Sequence, residues 1–427
     1  MHVRDPLYGK FALAPYLTRL VMTPEVRRLS QIRLLNTLTP SLATLGELRR
    51  FSHTLGVLHL CELNGAKGFS DEERRALAAS VLLHDIGTPP FGHLMEYQLR
   101  ELSNWSHESV IRAVLLGKHA PENRTHQIFA RRALEFRSEL RKVKISLEIV
   151  KAIVGGEHPL SMLLFGTLDL DNLDNVARMT CAIGIDGGAL LALQLAAAMS
   201  ITHDGCLCLD EQMQRQSVER WGSLRRQAYD AIVFDAPTVA AQAVLSEAIA
   251  IAIRQGVITE DDWYLSDEEL LEELMKFRET KDLIVLDYLG RLPEMMLCLQ
   301  VPGSLKEYGF SSRSQARLEL EEILKSTLSS HRVLGYVFVD SGTFSKKLQF
   351  LNQRTGEKWE VGQNSNSIVF YGFMRGSKSV PLAKRKHAAD ALLSRLKLSF
   401  ERLIKYTLKD FSESTDEHQQ SFNLASA

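Results

Sequence analysis

Apolar residues recur at three- and four-residue intervals through most of the first 330 positions, the period of helices with one buried face. Leu77, Val81 and Leu82 carry this spacing up to His84 and Asp85. In front of them, Ser70-Asp-Glu-Glu73 reads as a capping box, in which serine and glutamate each satisfy a backbone amide of the other. Gly87 and the Pro89-Pro90 pair stop that helix, because prolines cannot continue the hydrogen-bond ladder. Gly65 and Gly68 separate it from an earlier helix over 51–63. Positions 131–154 and 168–199 also read as helices, parted by Gly155-Gly156 and Pro159. A second helical block covers about 210–281, with another capping box at Ser266-Asp-Glu-Glu269.

After Ser330 the pattern changes. Val333-Leu-Gly-Tyr-Val-Phe-Val339, Leu348-Gln-Phe-Leu351 and Ser367-Ile-Val-Phe-Tyr371 are β-branched and aromatic runs divided by Gly, Asn and Ser. They predict one small antiparallel sheet, then a helix over about 382–408 and a polar tail over 412–427. The expected class is therefore mainly α, with units at 1–209, 210–330 and 331–411 ahead of the tail.

Composition narrows the functional classes. The 427 residues hold 51 Lys+Arg against 52 Asp+Glu, a net charge of -1, which removes the electrostatic case for a dedicated nucleic-acid or membrane-surface binder. Five cysteines without a CxxC form no disulfide framework, and the N-terminus MHVRDPLYGK lacks an apolar leader, so a cytoplasmic setting is expected. The most apolar stretch, 187–201, is shorter than the roughly 20 residues that span a bilayer and reads as a buried helix.

Imidazoles and carboxylates gather at predicted helix ends: His53, the doublet His84-Asp85, His93, His107, and Asp171 inside Asp169-Leu-Asp-Asn-Leu-Asp174. Such donors suit Mn, Fe, Zn, Ni or Mg, and a set drawn from separate helices leaves coordination positions open for catalysis. His59, His119, His126 and His158 read as packed or solvated residues. Asp169 and Asp174 are free to cap, to pair with Arg178 or to solvate the helix face.

The ordered segments Phe51-Ser-His-Thr-Leu-Gly-Val57, Leu82-Leu-His-Asp-Ile-Gly87, Pro90-Phe-Gly-His93, Trp105-Ser-His-Glu108 and Asp171-Asn-Leu-Asp-Asn-Val-Ala-Arg178 resemble the HD-domain superfamily of metal-dependent phosphohydrolases. Asp5-Pro-Leu-Tyr-Gly9, Thr23-Pro24 and Arg28-Leu29 extend the resemblance over about residues 4–200, nearest to the dNTP triphosphohydrolases. It implies an HD helical core with His53, His84, Asp85 and Asp171 holding a divalent metal. It also implies His93 and His107 on the phosphates, one of them a general acid, with Asp85 catalytic as well. Arg50, Leu35, Asn172 and Asn175 would contact substrate, with a homo-oligomer of at least two copies. For Arg50 the alternative is a pair with a nearby carboxylate such as Glu47.

The chain departs from that pattern in places. Thr88 stands where the triphosphohydrolases carry a further histidine, and Asn172, Asn175 and Met179 stand where the vertebrate sterile-alpha-motif HD enzyme has lysine, tyrosine and aspartate. Met22 and Ser30 replace polar or charged contacts of its regulatory site. The expected reaction is thus hydrolysis of a nucleotide, a dNTP above all. The rivals are a nucleotidase or phosphodiesterase on other nucleotides or single-stranded ends, and a nucleotide-binding sensor without turnover. The basic run Arg131-Arg132, Arg137, Arg141, Lys142 and Lys144 could touch single-stranded nucleic acid but reads first as a solvated face, as does Lys384-Arg-Lys-His387.

Overall fold

Helix ends are where this chain places its chemistry, and each end has a local cause. The structure, a computed structural model, describes residues 1–36, 39–103, 105–117, 135–330, 332–376 and 379–408. The tail 412–427, together with His119, His126, Arg131 and Arg132, lies outside the described residues. A hairpin of β1 (His2–Asp5) and β2 (Gly9–Ala12) precedes helices α1 (Pro15–Val21) and α2 (Pro24–Arg28). Helix α3 (Arg50–Asn64) ends at Gly65, whose φ of 68° is the left-handed conformation that glycine adopts without strain. Helix α4 (Asp71–Leu83) starts on the expected capping box, with Glu73 and Ser70 satisfying each other's amides. It stops at His84, after which the Asp85 carbonyl accepts from the Thr88 amide at 2.9 Å and curls the chain.

Helices α5 (His93–Ser103), α6 (His107–Leu116), α7 (Phe136–Lys142), α8 (Leu147–Val154), α9 (Leu170–Ala182) and α10 (Gly188–Ala198) complete the first body. Leu17, Leu58, Leu82, Leu173 and Leu195 meet in its core. The stretch 168–199 is two helices rather than one, because Gly184 and Gly187 turn to φ of 80° and 91°. Lys144, at φ 55°, similarly lies between α7 and α8. Short strands β3 (Ser200–Ile201) and β4 (Leu207–Cys208) lead into α11 (Glu211–Val233), α12 (Ala236–Arg254) and α13 (Asp267–Lys276), the last on its own capping box. Among the described residues α12, not 187–201, is the helix long and apolar enough to cross a membrane. Its most apolar window is 72% buried inside the molecule, so packing accounts for its composition.

The strands are β5 (Glu294–Pro302), β6 (Val333–Ser341), β7 (Leu348–Leu351), β8 (Lys358–Val361), β9 (Asn366–Met374) and β10 (Lys405–Thr407). Two corrections to the expected sheet follow. The central strand β5, pairing antiparallel with β9, was hidden within a region read as helix. Its Met-Met-Leu-Cys-Leu run is buried on both faces and so lacks alternation, and Met and Leu favour helices. Leu348–Leu351 belongs instead to a second sheet, ordered β3-β4-β7-β8, packed on the first body. The helix expected over 382–408 ends sooner. Helix α15 (Leu382–Leu396) follows α14 (Arg313–Leu328), and Lys397 at φ 57° then turns the chain so that β10 joins the edge of β5.

The main sheet, ordered β10-β5-β9-β6, shows strict two-residue alternation along β9. Val369, Tyr371 and Phe373 pack with α12 and the α5 region, whereas Ile368 and Phe370 pack with α14 and α15. Arg28 ties this second half to the turn after Asp85. It donates to the carbonyls of Thr88, Trp263, Tyr264 and Leu265 at 2.9, 2.6, 2.6 and 2.7 Å. Asp267 accepts from the amides of Phe91 and Arg33, both at 2.8 Å, and pins the same loop.

Phe370 is fully buried on the outer sheet face. Phe370→Ala should cost about 3–5 kcal/mol of stability, read as a lower urea midpoint. An unchanged midpoint would mean that this layer does not fold with the rest.

Candidate metal centre and its cavity

Three helices converge on one point. His53 lies in the first turn of α3, His84 and Asp85 at the end of α4, and Asp171 in the first turn of α9. The ligand atoms of His53, His84 and Asp171 fall within 4.8 Å of one another. Asp85 Oδ2 is 3.5 Å from His84 Nε2 and 4.0 Å from His53 Nε2. His53 Nε2 is 2.8 Å from Asp171 Oδ1. All four residues selected from the sequence therefore come together.

The far nitrogen of each ring is engaged. His53 Nδ1 donates to Asp174 Oδ2 at 2.7 Å, and His84 Nδ1 donates to the Val81 carbonyl at 2.6 Å. Each ring thus turns Nε2 toward the cluster, the arrangement by which a second hydrogen bond orients a metal-binding imidazole. Among the described residues, His84 Nε2 and Asp85 Oδ2 are buried with no hydrogen-bond partner. Leaving such atoms unsatisfied is costly, and a divalent cation would satisfy both. The donor set fits a cation on that ground.

Burial opposes charge on Asp85, but Arg50, His84 and His53 outweigh it and hold the carboxyl well below its usual range. Burial likewise opposes charge on Asp171 and Asp174, which His53 in one case and Arg178 with His53 in the other keep low. His53 loses stability as a cation through burial, yet hydrogen bonds to Asp171 and Asp174 push its pKa up to about 10. Asp169 differs: burial and the charge of Asp171 raise it to about 7. It caps α9 by accepting from the Asn172 amide at 2.7 Å.

Arg50 pairs with Asp85 Oδ1 at 2.8 Å, while Glu47 lies with Arg49 at 3.6 Å. Arg50 thus does pair with a carboxylate, the alternative to a phosphate role, though the partner is Asp85 and not Glu47. Thr88 donates its hydroxyl to the same Asp85 oxygen at 3.2 Å. The residue that replaces a histidine accordingly helps to orient a candidate ligand. His93 and His107 both donate from Nδ1 to Glu96, at 2.9 Å each. Glu96 is buried, and although burial opposes its charge, His107 and His93 hold it below the usual carboxylate range. Burial also disfavours the His107 imidazolium, but Glu96 raises its pKa nonetheless.

His53, His84, Asp85, Thr88 and Asp171 line a cavity of about 440 Å³, together with Leu35, Arg50, His93, His107, Asn175 and Met179. Asn172 is not among the lining residues, a correction to its expected substrate contact. It faces Asp169 and accepts from Arg225 Nη1 at 2.9 Å. The helical period explains the split: 175 and 179 follow 171 by four and eight residues and share its face, whereas 172 is turned about 100° away.

Sequence reasoning left Asp174 undecided and passed over Glu96. The spacing His93-Leu-Met-Glu96 puts an acid one turn after the histidine, a usable but common signal. The wall donated by α11, α12 and the main sheet, including Tyr229, Gln242, Tyr336, Phe338 and Tyr371, carried no motif at all.

Residues 50–179 match the HD domain family model. The chain is 24% identical over 386 residues to the uncharacterized protein YwfO of Bacillus subtilis (strain 168), covering 84% of this chain and 81% of YwfO. It is 32% identical over 117 residues to deoxynucleoside triphosphate triphosphohydrolase SAMHD1 of Gallus gallus, covering 25% of this chain and 19% of that protein. Its fold is similar to that of a phosphohydrolase from Bacteroides thetaiotaomicron VPI-5482, with a TM-score of 0.63 and 18% identity over 88% of this chain and all (100%) of the other.

Asp174→Asn keeps the side chain's size but removes the charge that orients His53. It should weaken Mn binding about 10–100-fold, measured by competition with a fluorescent chelator. Affinity equal to that of the native chain would rule out the orienting role.

Proposed function

We propose, from the match of residues 50–179 to the HD domain family model, that this protein is a metal-dependent phosphohydrolase that hydrolyses dNTPs to deoxynucleoside and triphosphate. The observation that carries the reading is the pair of buried, partnerless atoms His84 Nε2 and Asp85 Oδ2, beside Arg50 and two tethered histidines in one cavity. Similarity to a deoxynucleoside triphosphate triphosphohydrolase over 117 residues supports the same substrate class. His53, His84, Asp85 and Asp171 would hold a divalent cation. Such an ion supplies Lewis acidity, lowering the pKa of water and drawing charge from a phosphoryl oxygen.

The protein's own groups do the remainder. Arg50, anchored through Nη1, offers positive charge and N–H donors to phosphate oxygens, and the ring of His93 lines the same cavity. Water attacks the α-phosphorus, the bond from that phosphorus to the 5′-oxygen breaks, and triphosphate and nucleoside separate. The departing 5′-oxygen needs a proton. His107 can give it from Nε2, since Nδ1 is committed to Glu96 and the raised pKa keeps the ring protonated nearer neutral pH. Glu108 pairs with that nitrogen at 3.5 Å, longer than a good hydrogen bond, and its charge also favours the protonated ring.

Purified protein with Mn, incubated with dNTPs, NTPs, NMPs and oligonucleotides, should release nucleoside and triphosphate from dNTPs. A His84→Ala/Asp85→Ala double variant should release none. Free phosphate or shortened oligonucleotides instead would favour a nucleotidase or phosphodiesterase, and nucleotide binding without turnover would favour a sensor.

Glu96→Gln tests the acid. A protonated His107 loses activity as pH rises through its raised pKa, so removing the Glu96 charge should move the basic limb of kcat to lower pH. An unmoved limb would exclude His107 as the proton donor.

A further inference from the structure

One wall of the cavity is unlike the rest. Tyr336 of β6 and Tyr371 of β9 stand opposite each other in register, with ring centroids 6.1 Å apart, and Phe338 lies two residues along β6. All three line the same cavity as the HD residues. Tyr371 is fully buried and Tyr336 nearly so, which leaves Phe338 as the ring of the three with exposed surface on which a planar ring can stack.

Two polar side chains line the cavity beside these rings. Arg313, the first residue of α14, rests its guanidinium on Tyr336 at 4.6 Å and on Tyr97 at 4.8 Å. Among the described residues it makes no ion pair and no side-chain hydrogen bond, so its planar fork of N–H donors is held flat and uncommitted. Gln242 of α12 accepts from the Tyr336 hydroxyl at 2.9 Å through Oε1. That bond fixes the amide and leaves the Nε2 donors free. The Tyr371 hydroxyl is spent on the Val233 carbonyl at 2.6 Å. This wall thus sets donors that are uncommitted among the described residues beside the part-exposed ring of Phe338.

We propose that this wall is the nucleobase subsite and that Arg313, with Gln242, selects guanine. This rests on the nucleotide reading above. Guanine shows two adjacent acceptors, O6 and N7, on one edge, and a planar guanidinium meets them with two parallel bonds. Adenine sets an N6 amino donor where guanine has O6, so an arginine there faces N–H against N–H. The arginine's rigid stack removes rotamer freedom before binding, which favours a bidentate contact over a loose ionic one.

Equilibrium binding of dGTP and dATP to the full chain in EDTA separates base reading from turnover. The native chain should bind dGTP about tenfold more tightly than dATP. Arg313→Met should bring the ratio near one while dATP affinity stays within about twofold, and Tyr336→Phe, which frees the Gln242 amide, should lower the ratio partway. Arg313→Lys keeps the charge but not the fork, and should behave as Arg313→Met does. Equal affinities in the native chain, or a guanine preference that survives Arg313→Met or Arg313→Lys, would overturn the proposal. Turnover of all dNTPs with Mn, without base preference, would sink this inference and leave the hydrolase reading standing. A guanine preference in binding without any turnover would do the reverse.

Discussion

A buried line of alternating charge holds the candidate centre together: Asp5, Arg178, Asp174, His53 and Asp171, joined by contacts of 2.8, 2.6, 2.7 and 2.8 Å. It runs from the N-terminal hairpin through α9 to α3, so three separate pieces of chain share one electrostatic ledger. Removing one member of such a set strands a charge in low dielectric, typically at a cost of about 3–5 kcal/mol. The geometry also demands Gly56. A Cβ there would lie 2.0 Å from Asp174 Oδ1 and 2.2 Å from Arg178 Nη2, and both of those groups are fixed by their partners. Orientation of His53, and with it the gathering of the other ligands, follows from this line.

Much of the first body could be read from the chain itself, because its signals are local. The Ser70 and Ser266 capping boxes form as their spacing implies, and Gly87 with Pro89 ends α4 where His84 and Asp85 are needed. Gly87 does more than interrupt. A Cβ there would meet the His107 carbonyl at 2.4 Å, so the break also lets α6 approach.

What escaped the sequence was set by partners distant along the chain. Strand β5 is covered on both faces and shows no alternation, and β7 pairs with β8 and β4 rather than with β6 or β9. At the centre, Asp174 and Arg178 are an ordinary helical pair until α3 packs against them, and only then does Asp174 become the residue that aims His53. Glu96 gains its role in the same way, by bridging His93 and His107 across two helices. Residue identity suggested the four ligands; tertiary packing determined what steers them.

The cavity draws on two stretches of polypeptide with different duties. Everything that resembles acid, base or ligand lies before residue 180, whereas Tyr336, Phe338 and Tyr371 come from a sheet whose other side is braced by α14 and α15. Arg28 and Asp267 are the rivets between the two. Heredity could therefore edit the two stretches on separate schedules. A descendant of this chain could swap residues on the sheet wall and acquire a new taste in bases while its reactive machinery stayed untouched, so kinship in the first stretch speaks to the chemistry and leaves the base to the sheet.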